Sequence, residues 1–189
     1  ATPGDVVLDV KNLVVKDKKQ GHSKDVIKNV SIQVRKGEIV CIAGIDGNGQ
    51  TELVEAVTGM IKADEGSITL NGKDVTKESI RYRNTHGMSH IPEDRHKHGL
   101  VLDYSLEDNL VLQDYFEPRF QNHGFIKHAE VEKYAKDLIE EYDIRSGQGV
   151  DTITRSMSGG NQQKAIIARE LTKKHDLLVA VQPTRGLDV

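Results

Sequence analysis

At 189 residues with a formal charge of −3, the chain is long enough to bury about 70% of its unfolded surface and carries no global charge to draw nucleic acid or anionic lipid. Hydrophobic residues make up 37% of it, and no run approaches the ~20 apolar residues of a membrane span, so any membrane role must come through a partner. The single cysteine, Cys41, excludes an internal disulfide and fits a reducing compartment.

In chain order, residues 7–36 read as strands: Val7-Leu8-Asp9-Val10 is followed by Val26, Val30, Ile32 and Val34 in near alternation, with a wet, lysine-rich connection over 16–24. Residues 39–43 (Ile-Val-Cys-Ile-Ala) form the continuous apolar run expected of a strand buried on both faces, which would make Cys41 a buried structural thiol. A glycine loop follows over 44–51, and then Leu53, Val54, Val57 and Ile61 fall on one helical stripe with Gly59 as its stop. Residues 67–75 read as a hairpin, because Ile68 and Leu70 alternate and Asn71-Gly72 is a type I′ dipeptide. From about residue 93 to 154 the texture changes to helices and polar loops. Within it, Val131, Tyr134, Ala135, Leu138, Ile139 and Tyr142 take the spacing of an amphipathic helix. The chain returns to core with a helix over 162–171 and a second buried strand over 177–181, ended by Pro183. His86, His90, His96 and His98 read as a solvated loop, since no Cys or carboxylate completes a metal-ligand set. Both ends read as cuts, with no Met or signal pattern at Ala1 and no stop signal before Val189, so a fragment is expected.

Two loops carry the chemistry. Gly44-Ile45-Asp46-Gly47-Asn48-Gly49-Gln50-Thr51 has the glycine spacing of a phosphate-binding P-loop, in which backbone N–H groups converge on an anion at a helix N-terminus. The bland alternative is a glycine-rich strand-to-helix turn without a ligand. Gln50 stands where the motif has lysine, and a neutral donor in place of a cation weakens phosphate binding by about tenfold. The strand over 177–181 repeats the deficit: the positions that supply a Mg²⁺-holding Asp and a water-orienting Glu in ATPases of this layout read Val181 and Gln182. Downstream, Ser158-Gly159-Gly160-Asn161-Gln162 opens a helix with a hydroxyl and two side-chain-free amides. Alone it would pass for a plain N-cap; with a P-loop upstream and Gly186-Leu187-Asp188 beyond, it reads as an anion-facing terminus.

The order of glycine loop, Pro92-Glu93-Asp94-Arg95, Met157-Ser158-Gly159-Gly160-Asn161-Gln162-Gln163-Lys164 and Gln182-Pro183-Thr184-Arg185-Gly186-Leu187-Asp188 resembles the nucleotide-binding domain of ABC transporters. Within that family it is most similar to the second ATPase half of the fused proteins that energise bacterial simple-sugar and nucleoside importers. The resemblance implies an α/β fold: a P-loop NTPase core (38–61 and 162–189), an N-terminal antiparallel β-subdomain (1–37 and 62–80) and an inserted α-helical subdomain (93–158), truncated at the C-terminus, in one ATP-binding domain over 1–189. It further implies ATP and Mg²⁺ as ligands. Residues Gly44, Ile45, Asp46, Gly47, Asn48, Gly49, Gln50, Thr51 and Glu52 would hold the nucleotide, and Thr51 and Glu93 the metal. Ser158, Gly159, Gly160 and Gln162 would cap the γ-phosphate held by a partner half, with Asp188 at the dimer seam. No aromatic occupies the expected base-stacking place near residues 14–16.

The expected partners are the first ATPase half of the same chain, transmembrane permease subunits and, indirectly, a solute-binding protein, with no nucleic acid, at the cytoplasmic face of the inner membrane. This half alone is expected to hydrolyse ATP weakly or not at all. The other readings are a non-catalytic nucleotide-binding or dimer-scaffold module, and a soluble ABC ATPase; the latter would want long coiled coils or a basic stripe, and the sequence has neither.

Overall fold

The computed structural model describes residues 2–17, 24–45 and 47–187, which fall into two compact bodies, Ala1–Met88 with His175–Val179, and Ser89–Lys174 with Ala180–Val189.

The first body is built on a four-stranded antiparallel sheet ordered β2-β1-β3-β4, from β1 (Val6–Asp17), β2 (Lys24–Arg35), β3 (Glu65–Leu70) and β4 (Lys73–Asp74). Strands β1 and β2 run further than the alternation alone suggests, pairing from Val6 with Arg35 to Asp17 with Lys24, so both ends of the lysine-rich connection belong to strands. The register shifts near Asn12, where Asn12 and Asn29 both take left-handed backbone and join side chain to side chain at 2.8 Å. Gly66 passes this bulge so closely that a Cβ there would lie 2.4 Å from the Asn12 carbonyl oxygen. The hairpin joining β3 to β4 pairs Leu70 with Lys73 across Asn71-Gly72, both with positive φ, as a type I′ turn requires.

Helix α1 (Gln50–Thr58) buries Leu53, Ala56 and Val57 against Val10, Leu13, Ile27 and Ile68. It stops at left-handed Gly59, whose N–H reaches the Ala56 carbonyl, and Ile61 packs on the same cluster from beyond the helix. Arg83, on the short helix α2 (Ile80–Thr85), is only 2% exposed and donates to the carbonyls of Ala56 (2.8 Å), Val57 (2.7 Å), Thr76 (3.2 Å) and Glu78 (3.3 Å). A cation thus closes the carbonyl end of the helix that the glycine loop begins.

Two strand expectations are corrected. Residues 39–43 form no strand, and Ile39 (96%), Ile42 (50%) and Ile45 (77%) are exposed, as is Cys41. An apolar run demands cover without supplying it, and among the described residues no strand pairs with this segment. The strand over 177–181 is β8 (Leu177–Ala180), half-buried instead of buried, because only Leu177 and Val179 turn toward the core while Leu178 and Ala180 face out.

The second body begins at Ser89, within β5 (Met88–Ile91), and holds helices α3 (Leu106–Val111), α4 (His128–Glu141) and α5 (Gly159–Thr172). Helix α4 turns Val131, Ala135 and Leu138 inward, as its spacing predicts: Ala135 and Leu138 pack with Leu106 and Leu110 of α3 and Ala165 and Ala168 of α5, and Val131 with Val111 and Phe120. A small hairpin of β6 (Gln121–Asn122) and β7 (Phe125–Ile126) turns at His123 and Gly124, both with positive φ. No helix among the described residues is long and apolar enough to cross a membrane.

Candidate functional site

The glycine loop lies in the first body. Gly47 and Gly49 take positive φ, and Gly49 caps α1 without any side-chain acceptor, which leaves the helix end open. Gln50 then folds back into the loop. With its amide oriented to satisfy both groups, the side-chain oxygen accepts from the Gly44 N–H at 3.1 Å and the nitrogen donates to the Ile45 carbonyl at 3.0 Å. A Cβ on Gly44 would collide with that amide. The residue in place of lysine therefore consumes a backbone donor that an anion could use. Thr51 is exposed on the first turn of α1 with Glu52 half-buried beside it, and Asn48 donates its N–H to the Ile45 carbonyl at 3.2 Å. Asp46 lies outside the described residues, as does Asp188.

The second glycine motif lies in the second body. Ser158 is the N-cap of the 14-residue α5, its hydroxyl accepting from the Asn161 N–H at 3.4 Å and from the Asn161 amide at 2.9 Å. Asn161 is itself held, since its Oδ1 accepts from the Arg145 N–H at 2.8 Å. Among the described residues the N–H groups of Gly159 and Gly160 make no hydrogen bond. Gln162 does not face outward with them. It is 5% exposed, with Nε2 donating to the Thr154 carbonyl (3.0 Å) and Oε1 against His96 Nε2 (2.9 Å), so it braces the loop from behind. The turn after β8 packs on this motif: Gln163 donates to the Pro183 carbonyl at 2.9 Å, and a Cβ on Gly160 would lie 2.8 Å from the Gly186 carbonyl oxygen. Val181 and Gln182 open that turn, Gln182 with left-handed backbone at φ 46.

Glu93 is exposed just after buried Pro92. Asp94 caps a tight π-type turn, Arg95–Gly99, accepting from the N–H groups of His96 and Lys97 at 3.0 Å each. Those bonds, that from Lys97 foremost, hold its carboxyl below the usual range. Arg95 lays its guanidinium along the second glycine motif: a Cβ on Gly159 would lie 2.7 Å from one terminal nitrogen, and one on Gly186 3.2 Å from the other.

A buried polar knot ties β5, which leads into Glu93, to α5. The Glu170 carboxylate is 0% exposed and accepts from Arg169 Nε (3.1 Å), Lys173 Nζ (3.0 Å), Gln113 Nε2 (2.8 Å) and the His90 N–H (3.2 Å). Burial opposes ionisation of Glu170, yet Arg169 and Lys173 outweigh it and keep the carboxyl below its usual range. His90 is half-buried and not part of a solvated loop, which corrects the sequence reading. Burial lowers its pKa to about 4 against the opposing pull of Glu170, and its Nε2 has no partner. His86, in the first body, is exposed as expected, stacked on Tyr82 at 3.7 Å. No group of three or more His, Cys, Asp or Glu able to hold a metal occurs among the described residues. Sequence reasoning passed over Arg95, Glu170 and Arg83; for Arg95 the available signal was a basic run after Pro92-Glu93-Asp94, directed at no acidic stretch.

The family model "ABC transporter" matches residues 27–185. The chain is 50% identical over its whole length to the nucleoside import ATP-binding protein NupA of Lactococcus lactis subsp. cremoris, and 49% identical to the guanosine import ATP-binding protein NupO of Bacillus subtilis. It spans 37% and 36% of those relatives' lengths. It is also 40% identical over 99% of its length, and 34% of the relative's, to the glucose import ATP-binding protein TsgD13 of Haloferax volcanii. Its fold matches the dimeric post-hydrolysis ATP-binding cassette MJ0796 bound to ADP and Pi, with TM-score 0.79 at 22% identity, covering 96% of this chain and 76% of that one. By its matched family model, its full-length similarity to import ATP-binding proteins and the cassette fold beneath its two glycine loops, the chain belongs to the ABC transporter family, as an ATP-binding domain.

Proposed function

We propose that this chain is the second ATPase half of an importer of nucleosides or simple sugars, and that its role in hydrolysis is to complete the site of another half. The relatives are import ATP-binding proteins for such solutes. The observation that carries the asymmetry is the contrast between the two loops. Gln50 satisfies its own loop's Gly44 N–H, whereas the Gly159 and Gly160 N–H groups at the positive end of α5 have no acceptor within the described chain. A triphosphate fits the second loop and fits the first poorly. ATP is the nucleotide that this family takes, with Mg²⁺ to be met on the glycine-loop side by Thr51.

In this reading Ser158, Gly159 and Gly160 donate to the γ-phosphate of ATP bound on the first half, Gln162 holds them in place, and Asp188 lies near the seam. Val181 and Gln182 offer neither a metal-holding carboxylate nor a base, which makes the chain's own site slow or inert. The exposed Glu93 and the helical body face the permease subunits at the cytoplasmic surface of the inner membrane, and a solute-binding protein acts from the other side. Placing Ser158→Arg in the full-length protein should abolish ATP hydrolysis, because a bulky side chain then fills the anion-facing end of α5. Retention of more than about a tenth of the activity would refute the assignment, since loss of a preorganised donor costs about 10²-fold or more.

A further inference from the structure

The guanidinium of Arg95 is held against the amino end of α5, where the helix already presents a partial positive charge of about half a unit. Like charges in that arrangement repel. Among the described residues the Arg95 guanidinium has no carboxylate partner, and its one hydrogen bond is a long 3.4 Å contact from a terminal nitrogen to the Arg185 carbonyl. Its Nε is buried without any partner. The nearest acid in sequence, Asp94, is turned away into the cap of its own loop. A helix end alone marks no site, and a surface arginine alone marks none. A guanidinium packed into the space that glycine leaves open at residue 159, with its Nε buried and unpartnered and beside a helix end whose N–H groups are unbonded, is an arrangement that an anion relieves.

We propose that Arg95 is a further ligand for the terminal phosphate, delivered together with Ser158, Gly159 and Gly160 to the nucleotide on the other half. This inference rests on the reading above that α5 caps a phosphate in trans. It adds a charge to what would otherwise be a purely dipolar cap. Arg95 meets the anion from the side while the Gly159 and Gly160 N–H groups meet it end-on, and the planar fork can engage two phosphate oxygens at once. The same guanidinium touches the Arg185-Gly186 turn, so the phosphate contact and the turn after β8 are set by one side chain. Because ADP lacks the third phosphate, the contribution of Arg95 is confined to the triphosphate.

The test is a comparison of AMPPNP and ADP affinities by calorimetry, with Mg²⁺, on the full-length protein carrying Arg95→Met, alongside the apo melting temperature. The expected result is a loss of about 10- to 100-fold in AMPPNP affinity with ADP affinity unchanged. The apo melting temperature should be equal or higher, because an unfavourable charge has been removed. Arg95→Gln reads the same ratio if Met at this position impairs folding. An unchanged AMPPNP-to-ADP ratio, or an equal loss for both nucleotides, overturns the proposal, as does a lowered apo melting temperature with the ratio intact. Ser158→Arg in the same assay separates the two ideas. If it removes the preference for AMPPNP while Arg95→Met does not, only the role of Arg95 fails; if it leaves the preference untouched, the trans-capping reading fails and this inference with it.

Discussion

Replacing Arg83 with methionine tests whether one buried guanidinium holds the glycine-loop helix in place. Its Nη1 donates to the Ala56 and Val57 carbonyls at 2.8 and 2.7 Å, and the two remaining bonds, to Thr76 and Glu78, are longer at 3.2 and 3.3 Å. Charge-assisted bonds contribute about 1.5–3 kcal/mol each, so the two short ones set a gross loss of roughly 3–6 kcal/mol. Burial lowers the Arg83 pKa, which marks a desolvation cost that methionine avoids. The Ala56 carbonyl also keeps the Gly59 N–H, at 3.3 Å, so Val57 is left as the main orphan. The net expectation is a destabilisation of about 3–4 kcal/mol, or a melting temperature lower by about 10 °C for a chain of this length. Urea melts followed by circular dichroism measure it directly, with an unchanged denaturant slope as the sign of a pure stability effect. A loss below about 1 kcal/mol would show that the four carbonyls find other partners, and the strut argument would be wrong.

Two further outcomes follow from the same geometry. Gln50→Lys frees the Gly44 N–H and restores a cation, so calorimetry should give about a tenfold gain in ATP affinity at this loop. Hydrolysis should change little because Val181 and Gln182 remain, and no gain in affinity would mean that the amide does not obstruct the loop. For His90, the folded pKa of about 4 lies below the ordinary 6.5, so between those values the unfolded chain binds a proton that the folded one refuses. Stability from this group is complete above pH 6.5 and falls on acidification to pH 4, by on the order of 3 kcal/mol. His90→Gln should flatten that part of the stability profile; an unaltered slope would place the titration elsewhere.

What could be read from the chain was whatever local chemistry decides. Asn71-Gly72 dictates a type I′ turn because both residues accept positive φ, and α4 was legible because Val131, Ala135 and Leu138 share one face. Gly47 and Gly49 of the first loop follow the same rule with positive φ, whereas Gly159 and Gly160 of the second are spaces into which Arg95 and the Gly186 carbonyl pack. The apolar run over 39–43 misled because hydrophobicity states a need for cover, and the neighbours that would meet it are a tertiary matter. Arg83, Arg95 and Glu170 were invisible for a related reason: each acts on carbonyls, glycines or cations brought near by folding, and a charged letter in sequence reads by default as surface. His90 looked like its loop neighbours until strand β5 set it beside Glu170.

The closeness of Arg95 to Gly159 also changes how substitutions there should be interpreted. Gly159 has no left-handed backbone to protect, and what an added methyl would strike is the tip of a long, movable side chain. Alanine at that position would be accommodated by swinging the guanidinium aside, so a defect credited to the glycine would in fact report on the displaced arginine. The two positions form an epistatic pair whose effects will not add.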